Sequence, residues 1–264
     1  MEVVMVKMGV ELSEEELERY QRQIILPEVG IKGQQKIKAA KVLLVGAGGL
    51  GSPVGFYLAA AGIGKIGIVD SDAIDLSNLN RQVLHRNGDL GRAKAESARL
   101  ALKNLNQDIE VLAYPMRLTQ QNAEKTVMDY DMVVDCSDNF PARFLMNQVC
   151  VHSGKPFFYG AVSGFEGQMM TIIPGLTPCY NCLFPNMSTS PDKPIPVIGV
   201  VPGVIGMIQA TQVLKYILGQ GDLLVGKLSL YNALKLDLLK VDVKRSLLCP
   251  VCSVVDTSWC EPTP

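Results

Sequence analysis

Short apolar runs alternate with helix-spaced segments along most of this chain. The first run, KVLLV at 41–45, has the length and continuity of a strand buried on both faces. A helical segment and a second run, KIGIVD at 65–70, follow it. Further on, GRAKAESARLALKNLN (91–106) carries apolar residues at helical spacing. IEVLAY (109–114) predicts a strand, TQQNAEKTVM (119–128) a helix and YDMVVDCSDN (130–139) another strand. PARFLMNQVCVHSG (141–154) predicts a helix and PFFYGAV (156–162) a strand. Upstream, SEEELERYQRQIIL (13–26) predicts one helix, with Ser13 as N-cap and Glu16 at capping-box spacing. Strands alternating with helices predict an α/β fold with a doubly wound, mainly parallel sheet and right-handed crossovers.

The pattern changes after residue 162. Residues 174–203 are dense in Pro and Gly and predict a long loop. A helix is expected over 203–218. Two strand-like runs, GKLSLYNA (226–233) and KLDLLKVDV (235–243), predict an antiparallel C-terminal extension. The residues after Cys252 read as a loose tail. No internal repeat is visible.

With 264 residues, 48% hydrophobic and 19% charged, the chain can bury a full core. A formal net charge of −1 and no long Lys/Arg run make nucleic acid an unexpected partner. The first twenty residues lack the basic and apolar regions of a signal peptide, so a cytoplasmic location is expected. The most apolar stretch, 197–218, contains Pro202, Gln209, Gln212 and Lys215, which predicts a buried helix and no membrane span. Of seven cysteines, four fall in two Cys-x-x-Cys pairs. In a reducing compartment, metal or redox chemistry then outranks disulfides.

Candidate chemistry begins at VGAGGLG. Gly46, Gly48 and Gly51 follow a strand and open a helix, the spacing of a phosphate-binding loop whose helix N-terminus offers free N–H groups. Asp70 ends the next strand, where a carboxylate can accept from ribose hydroxyls. This much suits NAD as well as ATP. DLSNLNRQVL (75–84) changes the balance, because it presents Ser77, Asn78, Asn80, Arg81 and Gln82 together. Arg81 can fork onto phosphate oxygens, and Asn78 can orient a phosphate or a metal-bound water. Lys94 stands in the first turn of a helix, the wrong end for its dipole, and a phosphate ligand explains it. Beyond an apolar strand come Asp135, Asp138 and Asn139, and a carboxylate there suits Mg²⁺. Asp138–Asn139 also suits the N-cap of the helix starting near Pro141. The two histidines, His85 and His152, read as structural.

Cys179, Cys182, Cys249 and Cys252 suit a closed tetrahedral Zn²⁺ site of structural type. Neither pair opens a helix after a strand, which disfavours a thioredoxin-like redox role. Cys136 and Cys150 lie among apolar residues and are expected to be buried, and Cys260 is a free thiol in the tail.

Taken together, RYQRQIILPEVG (19–30), GAGGLGS (46–52), Asp70, LSNLNRQVLH (76–85), GRAKAESA (91–98), DCSDN (135–139), FEGQ (165–168), PCYNCLFP (178–185) and CPVC (249–252) resemble the ThiF/MoeB/HesA adenylyltransferases, relatives of the ubiquitin-activating enzymes. The resemblance implies a tail at 1–12, a single adenylation domain at 13–255 and a tail at 256–264. Within the domain, about 13–162 would bind nucleotide, and about 163–255 would hold the carrier and zinc. It implies ATP on Gly49, Asp70, Asn78, Arg81 and Lys94, with Asp138 on Mg²⁺; Asp72, Ser77, Asn80, Gln82 and Asn139 complete the expected set. It implies a homodimer in which Arg22 reaches the partner's site. The implied reaction joins AMP to the C-terminal Gly–Gly carboxylate of a small ubiquitin-like sulfur-carrier protein, in thiamin or molybdenum cofactor synthesis, and releases pyrophosphate. Several members carry a further cysteine in the loop after the zinc knuckle. Here 183–202 has none, and Asp192 stands about where it would be. Covalent capture of the carrier is therefore not expected, and sulfur is expected from a separate donor protein. An NAD-dependent oxidoreductase would leave Arg81, Lys94 and Asp138 unexplained. A non-catalytic scaffold would show eroded nucleotide residues. A peptide or RNA-linked carboxylate stays open as the acceptor, although near-neutral charge disfavours RNA.

Overall fold

The computed structural model describes residues 10–185 and 195–253. One eight-stranded sheet runs through it in the order β3-β2-β1-β4-β5-β6-β7-β8. Strands β1 (Lys41–Val45), β2 (Lys65–Val69), β3 (Glu110–Tyr114), β4 (Met132–Asp135) and β5 (Phe157–Ser163) are parallel. Strands β6 (Glu166–Ile172), β7 (Lys227–Asn232) and β8 (Asp237–Asp242) extend the sheet antiparallel. The expected Rossmann-like α/β sheet with its antiparallel extension is present. Strand order reverses between β1 and β4, and ligands of open α/β sheets bind outside the carboxyl ends of strands at such a point.

Helices α1 (Glu14–Arg19), α2 (Gln21–Ile24) and α3 (Gly30–Ala39) precede β1. Between and beyond the strands lie α4 (Gly51–Ala61), α5 (Lys94–Leu105), α6 (Ala123–Met128), α7 (Phe140–His152), α8 (Tyr180–Leu183) and α9 (Val200–Leu218). Alternation in β1 divides the core. Val42 and Leu44 face a cluster with Val54, Leu58, Leu102 and Ile205, whereas Leu43 and Val45 face one with Val133, Met146 and Phe157. Burial of each such side chain contributes roughly 1.5–3 kcal/mol. Among the described residues, α9 alone is long and apolar enough to cross a membrane. Half of it is buried, and Val201, Ile205, Ala210, Val213 and Ile217 all join the first cluster.

Several expectations need correction. The helix expected over 13–26 is two pieces, broken at Tyr20 (φ −98°, ψ 11°), although the Ser13–Glu16 capping box is present. Tyr20 turns its ring into the core, and its hydroxyl accepts from Asn106 Nδ2 at 2.8 Å. Helix α6 starts at Ala123, because residues 119–122 form a turn in which Asn122 Oδ1 accepts from Thr119 N–H. Helix α5 starts at Lys94, after a short antiparallel bridge between Ala73 and Ala93. Helix α9 begins at Val200 rather than 203, and the expected loop contains α8 and a bridge from Val197 to Gly164. Helix α3 and strand β6 were not anticipated.

Candidate functional site

The loops after β1, β2 and β4 converge at the switch point. Gly46 has φ +106°, and a Cβ there would stand 2.4 Å from Cys136 O, so the β1 and β4 loops touch through it. A Cβ on Gly51 would stand 2.1 Å from Gly46 O, which is why the turn into α4 closes only on glycine. Gln82 Nε2 borders Gly48, and Pro202 of α9 and Arg81 Cγ border Gly49. Gln82 is buried, and its Oε1 has no hydrogen-bond partner among the described residues.

Asp70 ends β2 and braces the loop. Its Oδ2 accepts from Ala47 N–H at 2.8 Å and its Oδ1 from Asp72 N–H at 2.9 Å. Burial nonetheless pushes its carboxyl above the usual range, against those two bonds. Lys94 is buried at the start of α5, and its Nζ lies 2.8 Å from Asp72 Oδ2. The sequence suggested only a phosphate as the reason for a lysine at that helix end. Asp72 supplies a second reason, because Lys94 N–H also donates to Asp72 O at 2.8 Å.

The stretch that begins at Asp75 forms a single tight turn, Leu76–Asn78. Asp75 Oδ1 accepts from Ser77 N–H, and Asn78 Oδ1 accepts from Asp75 N–H. Arg81 Nη1 donates to Ser77 O at 3.0 Å and to Asn80 Oδ1 at 3.1 Å. The turn therefore places Arg81 beside the glycine loop. On the β4 side Asp138 is exposed, with Asn139 Nδ2 at 3.4 Å from its Oδ1. A hard oxygen donor at the carboxyl end of a strand suits Mg²⁺. Asn139 is the N-cap of α7, its Oδ1 accepting from Ala142 N–H at 3.0 Å. Arg22 is exposed on α2.

Neither histidine faces the site as a base. His85 is buried, with Nε2 at 2.9 Å from Ala47 O and Nδ1 at 3.0 Å from Ser97 Oγ. A carbonyl only accepts, so Nε2 carries the proton and Nδ1 accepts. His152 is exposed on the last turn of α7.

Sequence reading missed Arg143. It is buried against the equally buried Asp135, Nε to Oδ2 3.3 Å, and its Nη2 donates to Ser137 O at 2.7 Å. A signal existed: Arg143, Met146, Asn147 and Cys150 share one face of a predicted helix, and that face is apolar apart from Arg143 and Asn147.

The four paired cysteines do meet. Their sulfurs all lie within 4.8 Å of one another, with Cys179 and Cys249 at 3.6 Å and Cys182 and Cys252 at 3.4 Å. Ser246 N–H donates to Cys182 Sγ at 3.4 Å. Burial works against the Cys249 thiolate, yet backbone N–H groups of Cys252 and Val251 bring its pKa down to about 7. Four convergent thiols, mostly buried and one ionising near neutrality, fit a thiophilic metal. Cys136 and Cys150 are buried as expected. Asp192 and Cys260 lie outside the described residues.

Fold and site together define a doubly wound α/β protein with a glycine loop at the switch point and a four-cysteine cluster on its antiparallel side. Residues 20–251 match the ThiF family. The chain is 47% identical over 251 residues to the sulfur carrier protein adenylyltransferase of Thermus thermophilus, spanning 91% of this chain and 92% of that protein. It is 44% identical over 249 residues to the SAMP-activating enzyme E1 of Haloferax volcanii, spanning 93% and 92%. A crystal structure of E. coli MccB with MccA-N7isoASN superposes with a TM-score of 0.81 at 26% identity, covering 92% of this chain and 75% of that one. The chain belongs to the ThiF family and is an adenylyltransferase.

Proposed function

We propose that this chain binds Mg-ATP at the switch-point crevice and transfers AMP to the C-terminal Gly–Gly carboxylate of a small ubiquitin-like sulfur-carrier protein. The observation that carries this reading is the glycine loop at the switch point, bordered by Gln82 and Arg81 and braced by Asp70, whose neighbour Asp72 holds Lys94. Relatives at 44–47% identity are named for sulfur-carrier adenylation and for SAMP activation, which supports the acceptor.

The N–H groups of residues 46–51 and the N-terminus of α4 cradle phosphate oxygens. Asp70 holds the ribose hydroxyls while it braces Ala47. Arg81 and Lys94 stabilise charge that develops on the α- and β-phosphates, and Asn78, Asn80, Ser77 and Gln82 orient them. Mg²⁺, held by Asp138 with Asn139 beside it, would neutralise phosphate charge. The acceptor carboxylate is ionised at neutral pH, so no enzyme base is required. That agrees with His85 being committed to Ala47 and Ser97. Catalysis then consists of alignment and charge stabilisation. Zn²⁺ on the four thiolates would tie α8 to the segment after β8. Arg22, exposed on α2, would complete the site of a second copy in a homodimer, and sulfur would come from a separate donor.

A peptide acceptor is the second reading, because crystal structures of the similar MccB hold MccA. One assay separates the two: ATP–pyrophosphate exchange with candidate carriers ending in Gly–Gly and with short peptides. Exchange should depend on the carrier. Arg81→Ala should reduce it by at least ~10²-fold with unchanged Tm. Full exchange by Arg81→Ala would overturn the assignment.

A further inference from the structure

Asp138 is presented by the segment between β4 and α7, and that segment is gripped from beneath. Asp135 Oδ1 accepts both from Ser137 N–H at 3.0 Å and from the Ser137 hydroxyl at 2.6 Å. Arg143 Nη2 takes the other side of the same residue, donating to Ser137 O at 2.7 Å. Its Nε faces Asp135 Oδ2 at 3.3 Å. The guanidinium lies against the Phe140 and Tyr159 rings, 5.8 and 5.6 Å from their centroids. Ser137 is thus held by its N–H, its hydroxyl and its carbonyl, and the next residue is Asp138.

Stability alone does not explain such a pair. Asp135 is 0% and Arg143 6% exposed, and desolvating two charges costs about as much as their attraction returns. Apolar replacements of similar volume are often neutral or better. What an apolar pair cannot do is fix the orientation of one peptide unit.

We propose that Arg143 is a positioning residue for Asp138: with Asp135 it fixes the Ser137 peptide, and so sets how the Asp138 carboxylate meets the divalent cation that accompanies ATP. This rests on the assignment of Asp138 to that cation. Arg143, 6% exposed, acts through the Ser137 peptide. Its planar fork faces Asp135 with one nitrogen and Ser137 O with another, which a lysine ammonium cannot reproduce.

The test uses the full chain. Outer partners of metal ligands typically change metal affinity 10–100-fold, so Arg143→Lys should raise the half-maximal Mg²⁺ concentration for exchange about tenfold. Saturating Mg²⁺ should restore most of the rate, and KM for the carrier should not move. ATP binding without Mg²⁺ should be unchanged, while amide exchange at Ser137–Asn139 should speed up about tenfold. In an Asp138→Asn background, Arg143→Lys should add no further shift. Lower kcat at every Mg²⁺ concentration with an unmoved midpoint would reduce Arg143 to a structural residue and overturn the proposal. An Asp138→Asn variant with normal Mg²⁺ dependence would overturn it at its premise, a failure distinct from the first. If Arg143→Lys does not fold, Ser137→Ala, which removes only the hydroxyl bond to Asp135, should move the midpoint in the same direction by less; no movement counts against the proposal.

Discussion

In β1 every residue after Lys41 is buried, whereas all six residues of β8 are exposed. The parallel half of the sheet is covered on both faces, by α4, α5 and α9 on one side and by α6 and α7 on the other. The outermost antiparallel strands have little such cover. The β7–β8 ladder leaves Leu238, Leu239 and Val241 exposed. The segment that follows is held by other means: the cysteine cluster and Arg245, whose Nη1 donates to Gly175 O at 3.2 Å and whose Nη2 donates to Cys252 O. Burial therefore maintains the half that carries the proposed nucleotide groups, whereas the β7–β8 edge has little of it and the four cysteines cluster beside it. The charged apparatus stands where the core is self-sufficient.

The largest effect should follow from breaking the thiol side. Small structural thiolate sites bind their metal with ~10 kcal/mol, and much of that is folding free energy. Chelating the proposed metal, or Cys249→Ser, should therefore lower Tm by about 20 °C or more, at 2–4 °C per kcal/mol for a chain of this size. Limited proteolysis should then cut near residues 243–248 first. ATP binding should persist at temperatures where the outer half has opened. Simultaneous loss of both would show that the halves are not separable. Next in size is a matched pair of deletions. Leu44→Ala, in the centre of β1 and 1% exposed, should cost about 3 kcal/mol in denaturant unfolding. Leu239→Ala, at 60% exposed, should stay within about 0.5 kcal/mol. Equal costs would abolish the contrast.

The same contrast explains what could be read in the sequence. Strands β1, β2, β4 and β5 announce themselves because strands buried on both faces are continuous apolar runs. Strand β6, EGQMMTI, begins with three residues that break that continuity and was passed over. Helix α3 buries only Gly33, Gln34 and Ile37 of its ten residues, too narrow a stripe to stand out. The break at Tyr20 is tertiary, since it depends on Asn106 lying eighty-six residues away. At the site, Gly46, Gly48, Gly51, Asp70, Arg81 and the cysteine pairs were legible because short spacings fix them. The Asp72–Lys94 pair was not, because it depends on residues 72–74 bridging to 91–94. Arg143 was legible in principle from its helix face, but nothing in the sequence identifies Asp135 as its partner.

The smallest effect should come from His85, which ties the glycine loop to α5 within the parallel half. Its Nε2–H donates to Ala47 O while Ser97 donates to Nδ1. Burial lowers its pKa below the usual value of 6.5, the Ala47 bond opposing only part of the shift. The sign follows from proton counting. Between 6.5 and the lower folded pKa the unfolded chain binds the proton and the native chain does not. Stability is thus full above about pH 6.5 and falls as pH drops toward the folded pKa. Asp70 acts in the opposite sense: its raised carboxyl favours the folded state as pH falls through its folded pKa, over a window that runs upward from 3.8. Comparing the chain with its His85→Gln variant from pH 8 to 5 isolates the histidine, because Asp70, Asp135 and Cys249 are common to both. His85→Gln, neutral throughout, should flatten the decline seen in the unsubstituted chain. Identical slopes would mean that His85 takes up its proton in place, and that the loop yields as readily as the exposed outer strands.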